Sequence, residues 1–479
     1  MTGKEDHTTA VSAPGKVLLA GGYLVLDRAY SGLVFGLSAR INVIAQEIHT
    51  SEGVHLTEIV VESPQFLEAQ WRYGYHLADQ DGGIKVTQLQ VGSRIVPNPF
   101  VETTLNYALT YIAQAGTHKH KKHSVKSARL TILADNDYYS HQASAAAAAA
   151  AASGGGGESV SSSASTSSSS ATPPASSINA LNVSRFARFP TTLGDAHKTG
   201  LGSSAALVTA LSAALLTHYL PLQILDVSSP EGKQILHNLA QAAHCAAQGK
   251  VGSGFDVAAA VYGSSLYRRF SPSVLASVPE AGSPGFASKL LEVVQSEWDT
   301  EVQKDAVSLP AGIAMRMCDV DCGSQTVGMV KKVLAWRAKE PEAAKALWDE
   351  LQRRNEAVAS VLRDERTGEI SAALKAVREL VREMGTASGV PIEPESQTEL
   401  LDALEAEVPG VYGGVVPGAG GFDAVALLVQ DDTETLAQIE EFVESWSKAK
   451  GSQVSLLGVK GEMEGVRKET LEAYHGWLR

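Results

Sequence analysis

The alternation of apolar and polar positions divides the chain into strand-like and helix-like segments. Residues 17–26 predict two apolar strands joined at a Gly-Gly turn, and residues 32–47 continue with strand-like composition. A helical pattern lies within 95–116, and 128–133 again predict a strand. Further segments, listed by type, are helices near 229–248, 255–263, 326–338 and 340–384 and strands at SSLYRRF and AVALLV. Strands and helices are therefore mixed along the whole chain.

Residues 142–177 break this pattern. They consist almost entirely of Ala, Ser and Gly and contain almost no large apolar side chain. Such a segment cannot bury enough apolar surface to fold, so we expect a disordered surface insertion. A second change in composition, rich in Ser, Pro and Gly, lies near 272–284 and predicts a boundary between domains 10–285 and 286–479.

Composition excludes several classes of protein. The chain has 479 residues, 44% of them hydrophobic, and a net charge of −13. This charge argues against general affinity for nucleic acid or anionic membrane, because both reward clustered Lys and Arg. The three cysteines cannot form a disulfide framework, the N-terminus is polar, and the apolar run 205–216 is too short to span a bilayer. We expect a cytoplasmic protein without nucleic-acid or membrane partners, either a monomer or a weak homodimer.

The stretch KTGLGSSAALV, residues 198–208, places a glycine-serine loop directly before an apolar helix. The first N–H groups of a helix lack intrahelical partners and its dipole makes that end partly positive, so small residues there receive a phosphate well. Gly200 and Gly202 permit unusual backbone angles, and Ser203 and Ser204 offer hydroxyl oxygens to Mg2+. The alternative is a glycine-rich turn with a serine cap before a buried helix.

Three other loops carry residues suited to phosphate chemistry. Asp256 follows the loop GKVGSGF at the start of an Ala-rich segment, Lys16 follows Ala-Pro-Gly before an apolar strand, and PGAGGFD spans 417–423. Each loop alone is most often a tight turn, and Asp256 alone is also favoured by the helix dipole. Together with the 198–208 loop, they supply the parts of a phosphoryl-transfer site.

These stretches resemble a known family. SAPGKVLLAGGYLVL, KTGLGSSAAL and PGAGGFD are similar, in order and spacing, to motifs 1, 2 and 3 of the GHMP kinases. More narrowly, LAGGYLVLD, GKVGSGFDVAAA and CGSQTVGMVKKV resemble the phosphomevalonate kinases of the eukaryotic mevalonate pathway. The resemblance implies an α+β fold, with an N-terminal domain like domain 2 of ribosomal protein S5 and a ferredoxin-like C-terminal domain. It also implies ATP-dependent phosphorylation of 5-phosphomevalonate to the 5-diphosphate, with Mg2+, in isoprenoid and sterol synthesis.

The resemblance assigns roles by position. Asp256 matches the catalytic aspartate, Lys16 would lie close to the transferred phosphate, and Ser203 and Ser204 would lie near Mg2+. The residues expected to bind ATP are Lys198, Thr199, Gly200, Leu201, Gly202, Ser203, Ser204, Ala205, Ala206, Leu207 and Val208. The residues expected to bind the substrate are Lys198, Ser253, Lys250, Ser324 and Thr326, with helix capping as the alternative for the last two.

One departure concerns the metal. Mevalonate kinases carry a metal-binding glutamate about one helix before the catalytic aspartate, whereas HNLAQAAHCAAQGK has no acidic residue. Metal coordination would therefore depend on the serines and on ATP oxygens. The same absence argues against mevalonate kinase itself.

The acceptor implied by the resemblance changes the expected chemistry. The second pKa of a phosphate monoester is near 6, so its attacking oxygen is mostly ionised at pH 7 and needs little help from a base. Bringing two anionic groups together is instead an electrostatic task. We therefore expect Lys16, Lys198 and Lys250 to contribute more to catalysis than Asp256, which would position Lys16 and the metal. The alternatives are another GHMP kinase of mevalonate or homoserine type and a non-catalytic ligand sensor on the same fold.

Overall fold

The computed structural model describes residues 8–51, 56–90, 96–116, 125–139, 185–321 and 326–478. The predicted insertion at 142–177 lies outside these residues. Within them, strands and helices alternate in the mixed α and β order that the sequence predicts.

The described strands are β1 (Thr9–Ala20), β2 (Gly32–Glu47), β3 (Glu58–Glu62), β4 (Gln70–Ala78), β5 (Gly83–Leu89), β6 (Ala128–Ala134), β7 (Ser265–Arg268), β8 (Glu301–Gln303), β9 (Ile313–Asp321), β10 (Val411–Val415), β11 (Ala424–Gln430), β12 (Gln453–Glu462) and β13 (Arg467–Lys468). The described helices are α1 (Pro99–Ala115), α2 (Ser203–Tyr219), α3 (Pro230–Gln248), α4 (Phe255–Tyr262), α5 (Phe286–Gln295), α6 (Thr326–Lys339), α7 (Pro341–Arg363), α8 (Ile370–Ser388), α9 (Glu395–Glu407) and α10 (Thr433–Lys450).

β2 is the strand around which the sheet is organised. It pairs with β1, β6, β7 and β12, and the path of paired strands runs β10-β11-β9-β12-β2-β6-β3-β4-β5. Its sequence is apolar over most of its length, and nearly every residue from Gly32 to Ala45 is buried. A strand covered on both faces reads as a nearly continuous apolar run, which is why the sequence predicts it correctly.

The 17–26 segment differs from the prediction. Its first half completes β1, but Leu24–Leu26 form a short 3-10 helix instead of a second strand. Gly21 has a φ of 95° and Tyr23 a φ of 65°, and these left-handed angles turn the chain out of the sheet. Leu24 and Val25 are nevertheless buried, so the apolar composition that suggested a strand reflects burial in the core.

α2 lies in the centre of the helical layer. It packs against β1 and β2 on one side and against α1, α3 and α4 on others. A helix buried on all sides is apolar nearly all round, which accounts for the many Ala, Leu and Val residues in its sequence. The position of its N-terminus is therefore fixed by the core.

The helical region predicted over 340–384 forms two helices, α7 and α8. Between them the chain turns at Glu365, where φ is 55°, and continues through an exposed 3-10 turn at Thr367–Glu369. The amphipathic pattern continues across this turn because both helices bury one face in the same core. Periodicity alone does not reveal the break.

Elements from the two halves of the chain pack and pair with one another. α5 packs against α1 and α3, β8 pairs with β7, and β13, close to the C-terminus, pairs with β1. β12 joins the C-terminal strands to β2. The predicted division at 285 and 286 stays a prediction.

Arg40 on β2 ties the C-terminal segment to the first strands. Its side chain is 1% exposed, and it donates to Glu462 Oε2 at 2.9 Å and to Ser12 Oγ at 2.7 Å. Burial lowers the pKa of the guanidinium, and the nearby carboxylate of Glu462 opposes this effect. The ion pair thus holds together parts of the chain that are far apart in sequence.

We predict that Arg40→Met destabilises the protein by about 3 kcal/mol, because removing one partner leaves the other groups unpaired in a dry site. The matched control is Arg72→Met, which removes an arginine that is 48% exposed from its pair with Glu58. An exposed pair contributes at most about 1 kcal/mol. Urea unfolding of both variants measures the difference, and equal losses would contradict a structural role for Arg40.

Candidate active site

Lys16 is brought to the 198–202 loop by the backbone of β1. The N–H of Lys16 donates to Leu201 O at 2.9 Å. The Lys16 side chain is partly buried, and its Nζ lies 5.6 Å from the centroid of the Phe255 ring at the start of α4. Three loops predicted to carry phosphate chemistry therefore meet at one lysine.

Gly202 is the point of closest approach. A Cβ at this position would lie 2.7 Å from Cε and 2.9 Å from Cγ of Lys16, and its φ is +80°. Gly200 has a φ of +70°, and a Cβ there would meet nothing within 4 Å. The first glycine of the loop thus faces open space, while the second makes room for the lysine.

The N-terminus of α2 has no side-chain cap. Its cap residue is Gly202 in the left-handed conformation, whereas Asn98 caps α1 and Ser229 caps α3 through side-chain oxygens. The predicted alternative, a serine-capped turn, is therefore wrong. The first N–H groups of α2 point toward the loop, where they suit an anion.

Residues of the 198–208 stretch divide by exposure. Ser203 and Ser204 are partly exposed, while Ala205, Ala206 and Val208 are buried in the core. Thr199 is buried, and its N–H donates to Tyr138 O at 3.2 Å. Small or polar residues thus line the open part of the loop, and the apolar ones anchor the helix.

Asp256 lies in the first turn of α4. Its Oδ1 accepts from the N–H of Val257 at 3.0 Å, and its Oδ2 lies 3.8 Å from Nδ1 of His244. Burial lowers the pKa of the Lys16 ammonium, and the negative charge of Asp256 acts in the opposite direction. Asp256 and Lys16 are therefore electrostatically coupled.

Two side chains, those of Tyr267 and Arg269, hold the backbone of the loop before Asp256. Ser253 O accepts from Tyr267 Oη at 2.8 Å, and the buried Arg269 donates to Gly252 O at 2.8 Å and to Leu26 O at 2.7 Å. Arg269 thus joins this loop to the turn that follows β1. Ser253 itself is partly exposed.

Of the other residues predicted to bind substrate, some lie away from Lys16 and one lies outside the residues that the structure describes. Lys198 is exposed, and its backbone forms a bridge with Tyr139. Lys250 lines a cavity of about 510 Å³ together with Lys85 and Glu102, and neither Lys16 nor Asp256 lines that cavity. Ser324 lies outside the described residues, and Thr326 begins α6.

The PGAGGFD loop also reaches this site. Gly418 N–H donates to Leu18 O at 3.1 Å, and Tyr23 Oη donates to Ala419 O at 2.6 Å. A Cβ at Gly22 would lie 2.2 Å from Gly418 O, so only glycine fits where the two loops cross. The motifs at opposite ends of the sequence are in direct contact.

Sequence reasoning missed the residues that support the site, notably His244, Arg269 and Tyr138. His244 lies twelve residues before Asp256 on α3 and is 2% exposed. A histidine within the alanine-rich run QAAHCAAQ is the available signal. Helical periodicity does not show whether such a residue faces the core or the site.

The described residues contain no cluster of three or more His, Cys, Asp or Glu side chains placed to hold a metal ion. No described helix is long and apolar enough to cross a membrane.

Comparison with known proteins gives consistent matches. The model of the GHMP kinases N terminal domain matches residues 176–264. The chain is 62% identical over 473 residues to a phosphomevalonate kinase of Gibberella zeae, covering 98% of this chain and 99% of the relative. It is 34% identical over 520 residues to a peroxisomal phosphomevalonate kinase of Arabidopsis thaliana, covering 96% and 95%.

A solved structure shares the fold. The structure of Streptococcus pneumoniae phosphomevalonate kinase in complex with phosphomevalonate and AMPPNP matches with a TM-score of 0.56 and 16% identity, covering 96% of this chain and 99% of that one. At this identity the likeness concerns the fold alone.

We predict that Gly202→Ala destabilises the protein by about 2–4 kcal/mol, because it adds a crowded contact with Lys16 to the strain of a left-handed residue. The control is Gly389→Ala, where φ is +65° and a Cβ would meet nothing within 4 Å. This control should lose only about 1 kcal/mol. Denaturant unfolding compares the two, and equal losses would show that Gly202 does not accommodate the lysine.

Proposed function

We propose that this chain, which belongs to the phosphomevalonate kinase family of the GHMP kinases, performs its reaction with Lys16, the 198–208 loop and Asp256 as the central groups. The reaction is the ATP-dependent phosphorylation of (R)-5-phosphomevalonate to (R)-5-diphosphomevalonate with release of ADP, in the mevalonate route to isoprenoids and sterols. The α+β GHMP kinase fold predicted from the motifs is confirmed. The observation that carries the residue-level proposal is the contact of Lys16 with both the 198–202 loop and the start of α4.

The ATP phosphates would lie against the loop at the N-terminus of α2. Gly200 leaves open space, Gly202 leaves the helix without a side-chain cap, and the helix dipole favours negative charge there. Thr199 and Leu201 shape the loop by binding the Tyr138 carbonyl and the Lys16 N–H. These contacts set the loop before any ligand arrives.

Mg2+ would be held by Ser203 or Ser204 together with ATP oxygens. Both hydroxyls are partly exposed at the first turn of α2, and oxygen ligands suit this cation. When bound, the ion supplies neutralisation of phosphate charge. The chain itself contributes the hydroxyl oxygens and the geometry of the turn that presents them.

The second anionic group would be met by lysines. At pH 7 the acceptor phosphate of 5-phosphomevalonate is largely ionised, so the main barrier is repulsion between two anions. Lys16 stands beside the ATP loop, and Lys198 extends from its exposed edge. Ser253 would bind the substrate phosphate, and Lys250, Ser324 and Thr326 stay as weaker substrate-side proposals. Asp256 would favour the charged form of Lys16 and keep it in place.

Two further proposals concern the location of the protein in the cell and its oligomeric state. We expect a cytoplasmic protein that acts as a monomer or a weak homodimer on small molecules. Gel filtration with light scattering tests the assembly, and cell fractionation tests the location, for which a peroxisome is the competing result given the name of the plant relative.

The acceptor is tested directly. Purified protein with Mg·ATP is offered mevalonate, phosphomevalonate, homoserine or galactose, and ADP release is measured for each. We predict turnover with phosphomevalonate alone. Turnover only with another acceptor would overturn the substrate assignment, and binding without turnover of any would favour a ligand sensor.

We further predict that the lysines matter more than the aspartate. Lys16→Met and Lys198→Met should lower kcat/KM for phosphomevalonate by about 100- to 1,000-fold, as expected when a preorganised charge is removed from a transition state. Asp256→Asn, which keeps the shape of the side chain, should cause a smaller loss.

Lys126→Met is the matched control, because this lysine is 70% exposed and pairs with Glu47 away from the site. It should leave kcat/KM unchanged. If Asp256→Asn abolished turnover while Lys16→Met and Lys198→Met left kcat/KM nearly intact, the electrostatic assignment would be wrong. Circular dichroism of each variant separates loss of folding from loss of function.

A further inference from the structure

His244 near the end of α3 touches polar groups from three separate segments. It is 2% exposed. Its Nε2 lies 3.1 Å from Ser204 Oγ and 3.3 Å from Gln248 Nε2, while its Nδ1 lies 3.8 Å from Asp256 Oδ2. The ring also stacks on Phe100 at the start of α1, with centroids 5.7 Å apart. A buried imidazole thus stands between the first turn of α2 and the first turn of α4.

These neighbours determine which nitrogen of the neutral ring carries hydrogen. In the described orientation of the Gln248 amide its nitrogen faces Nε2 and donates, so we place the hydrogen of the neutral ring on Nδ1 and treat Nε2 as the acceptor. Nδ1 and Asp256 Oδ2 are 3.8 Å apart, which is too far for a direct hydrogen bond, but the negative charge of the carboxylate favours a hydrogen on Nδ1. The other oxygen of Asp256 is already bound to the N–H of Val257.

This tautomer sets the direction of the Ser204 hydroxyl. Since Nε2 then carries no hydrogen, Ser204 Oγ is the donor in the 3.1 Å contact, and it shares the single Nε2 lone pair with the more distant Gln248 amide. The lone pairs of Oγ are then directed away from His244 and remain available to a cation. With the opposite tautomer, Ser204 would accept from the ring and its hydrogen would compete with any cation at the same oxygen.

We infer that His244 is a positioning residue that orients Ser204 Oγ as a metal-binding oxygen and interacts electrostatically with the Asp256 carboxylate. It would touch neither substrate nor ATP, and it acts through the two residues that do. The inference rests on the proposed function in one respect, the placement of Ser204 beside the metal of the Mg·ATP complex. The stacking on Phe100 keeps the ring in the plane that serves both neighbours.

The first test measures metal binding without turnover. Mn2+ replaces Mg2+, the non-hydrolysable analogue AMPPNP replaces ATP, and Mn2+ affinity is measured by electron paramagnetic resonance. His244→Ala should weaken Mn2+ binding by about 10- to 100-fold, the usual effect of removing a group that orients a metal ligand. His244→Gln, which can place an acceptor near the position of Nε2, should restore most of the affinity.

The control is a second buried histidine on the same helix. His237 is also 2% exposed, lies two turns earlier on α3 and contacts Asn238 Oδ1 at 3.2 Å instead of the site. His237→Ala, the same truncation at this second buried position, should leave Mn2+ affinity within about twofold of wild type. If both histidine variants weakened Mn2+ binding equally, general loosening of α3 would explain the effect and the positioning role would be rejected.

A double-mutant cycle tests whether His244 affects Mn2+ binding through Ser204. If His244 acts on the metal through Ser204, then His244→Ala should have little further effect on Mn2+ affinity in a Ser204→Ala background. Additive losses, or unchanged Mn2+ affinity in His244→Ala, would overturn the inference. Should His244→Ala fail to fold, the same cycle is carried out with His244→Asn, which retains a donor near Nδ1 and no acceptor near Nε2.

Activity supplies a second and separate readout. We expect His244→Ala to lower kcat by about 10- to 100-fold while KM for phosphomevalonate changes by less than about threefold. A wild-type protein that bound Mn2+ and AMPPNP but turned over no acceptor would contradict the proposed reaction and leave the metal-binding test of His244 intact. The two failures are therefore distinguishable.

Discussion

The close contact between Lys16 and Gly202 is the constraint on which the site depends. A hydrogen bond from the Lys16 N–H fixes the Leu201 carbonyl, and the lysine side chain then crosses the next residue, where any Cβ would collide with it. These residues are far apart in sequence. They meet because β1 pairs with β2 while α2 packs across both strands. The shape of the loop therefore depends on the packing of α2 against the central sheet.

The candidate site presents positive groups although the chain as a whole is acidic. The net charge is −13, yet the described residues around the 198–202 loop present Lys16, Lys198 and a helix N-terminus to any ligand. Burial lowers the pKa of Lys16, and the carboxylate of Asp256 counters that effect. The Asp256 carboxylate thus supports the charged form of Lys16. Further carboxylates would repel the two phosphates that the reaction brings together.

The sequence predicted best those features that depend on local pattern. β2 is recognisable because both its faces are buried, and the ends of α3 and α4 follow from helical periodicity and from the glycines beside them. Two features were not predictable in this way. The 24–26 turn depends on left-handed backbone at Gly21 and Tyr23, and the pairing of β12 and β13 with the first strands joins the ends of the chain.

The same distinction applies to the site. Lys16, the 198–208 loop and Asp256 belong to short stretches with a recognisable glycine pattern, so they could be proposed from sequence. His244 and Arg269 could not, because each acts on a loop that only folding brings near. Lys250 was proposed because it lies close to Asp256 in sequence, yet it lines a cavity that neither Asp256 nor Lys16 lines. Proximity in sequence predicts the loop to which a residue belongs and leaves open the direction of its side chain.

The close contact between Gly22 and Gly418 means that the position of β1 also depends on the C-terminal half of the chain. Gly418 N–H binds the carbonyl of Leu18, two residues after Lys16 on β1, and Tyr23 binds the carbonyl of Ala419. Arg269 connects the turn after β1 to the loop before Asp256. β1 and the turn after it are consequently held by contacts from all three neighbouring loops. Because the 417–423 loop belongs to the C-terminal half, both halves of the chain contribute hydrogen bonds to the segment that carries Lys16.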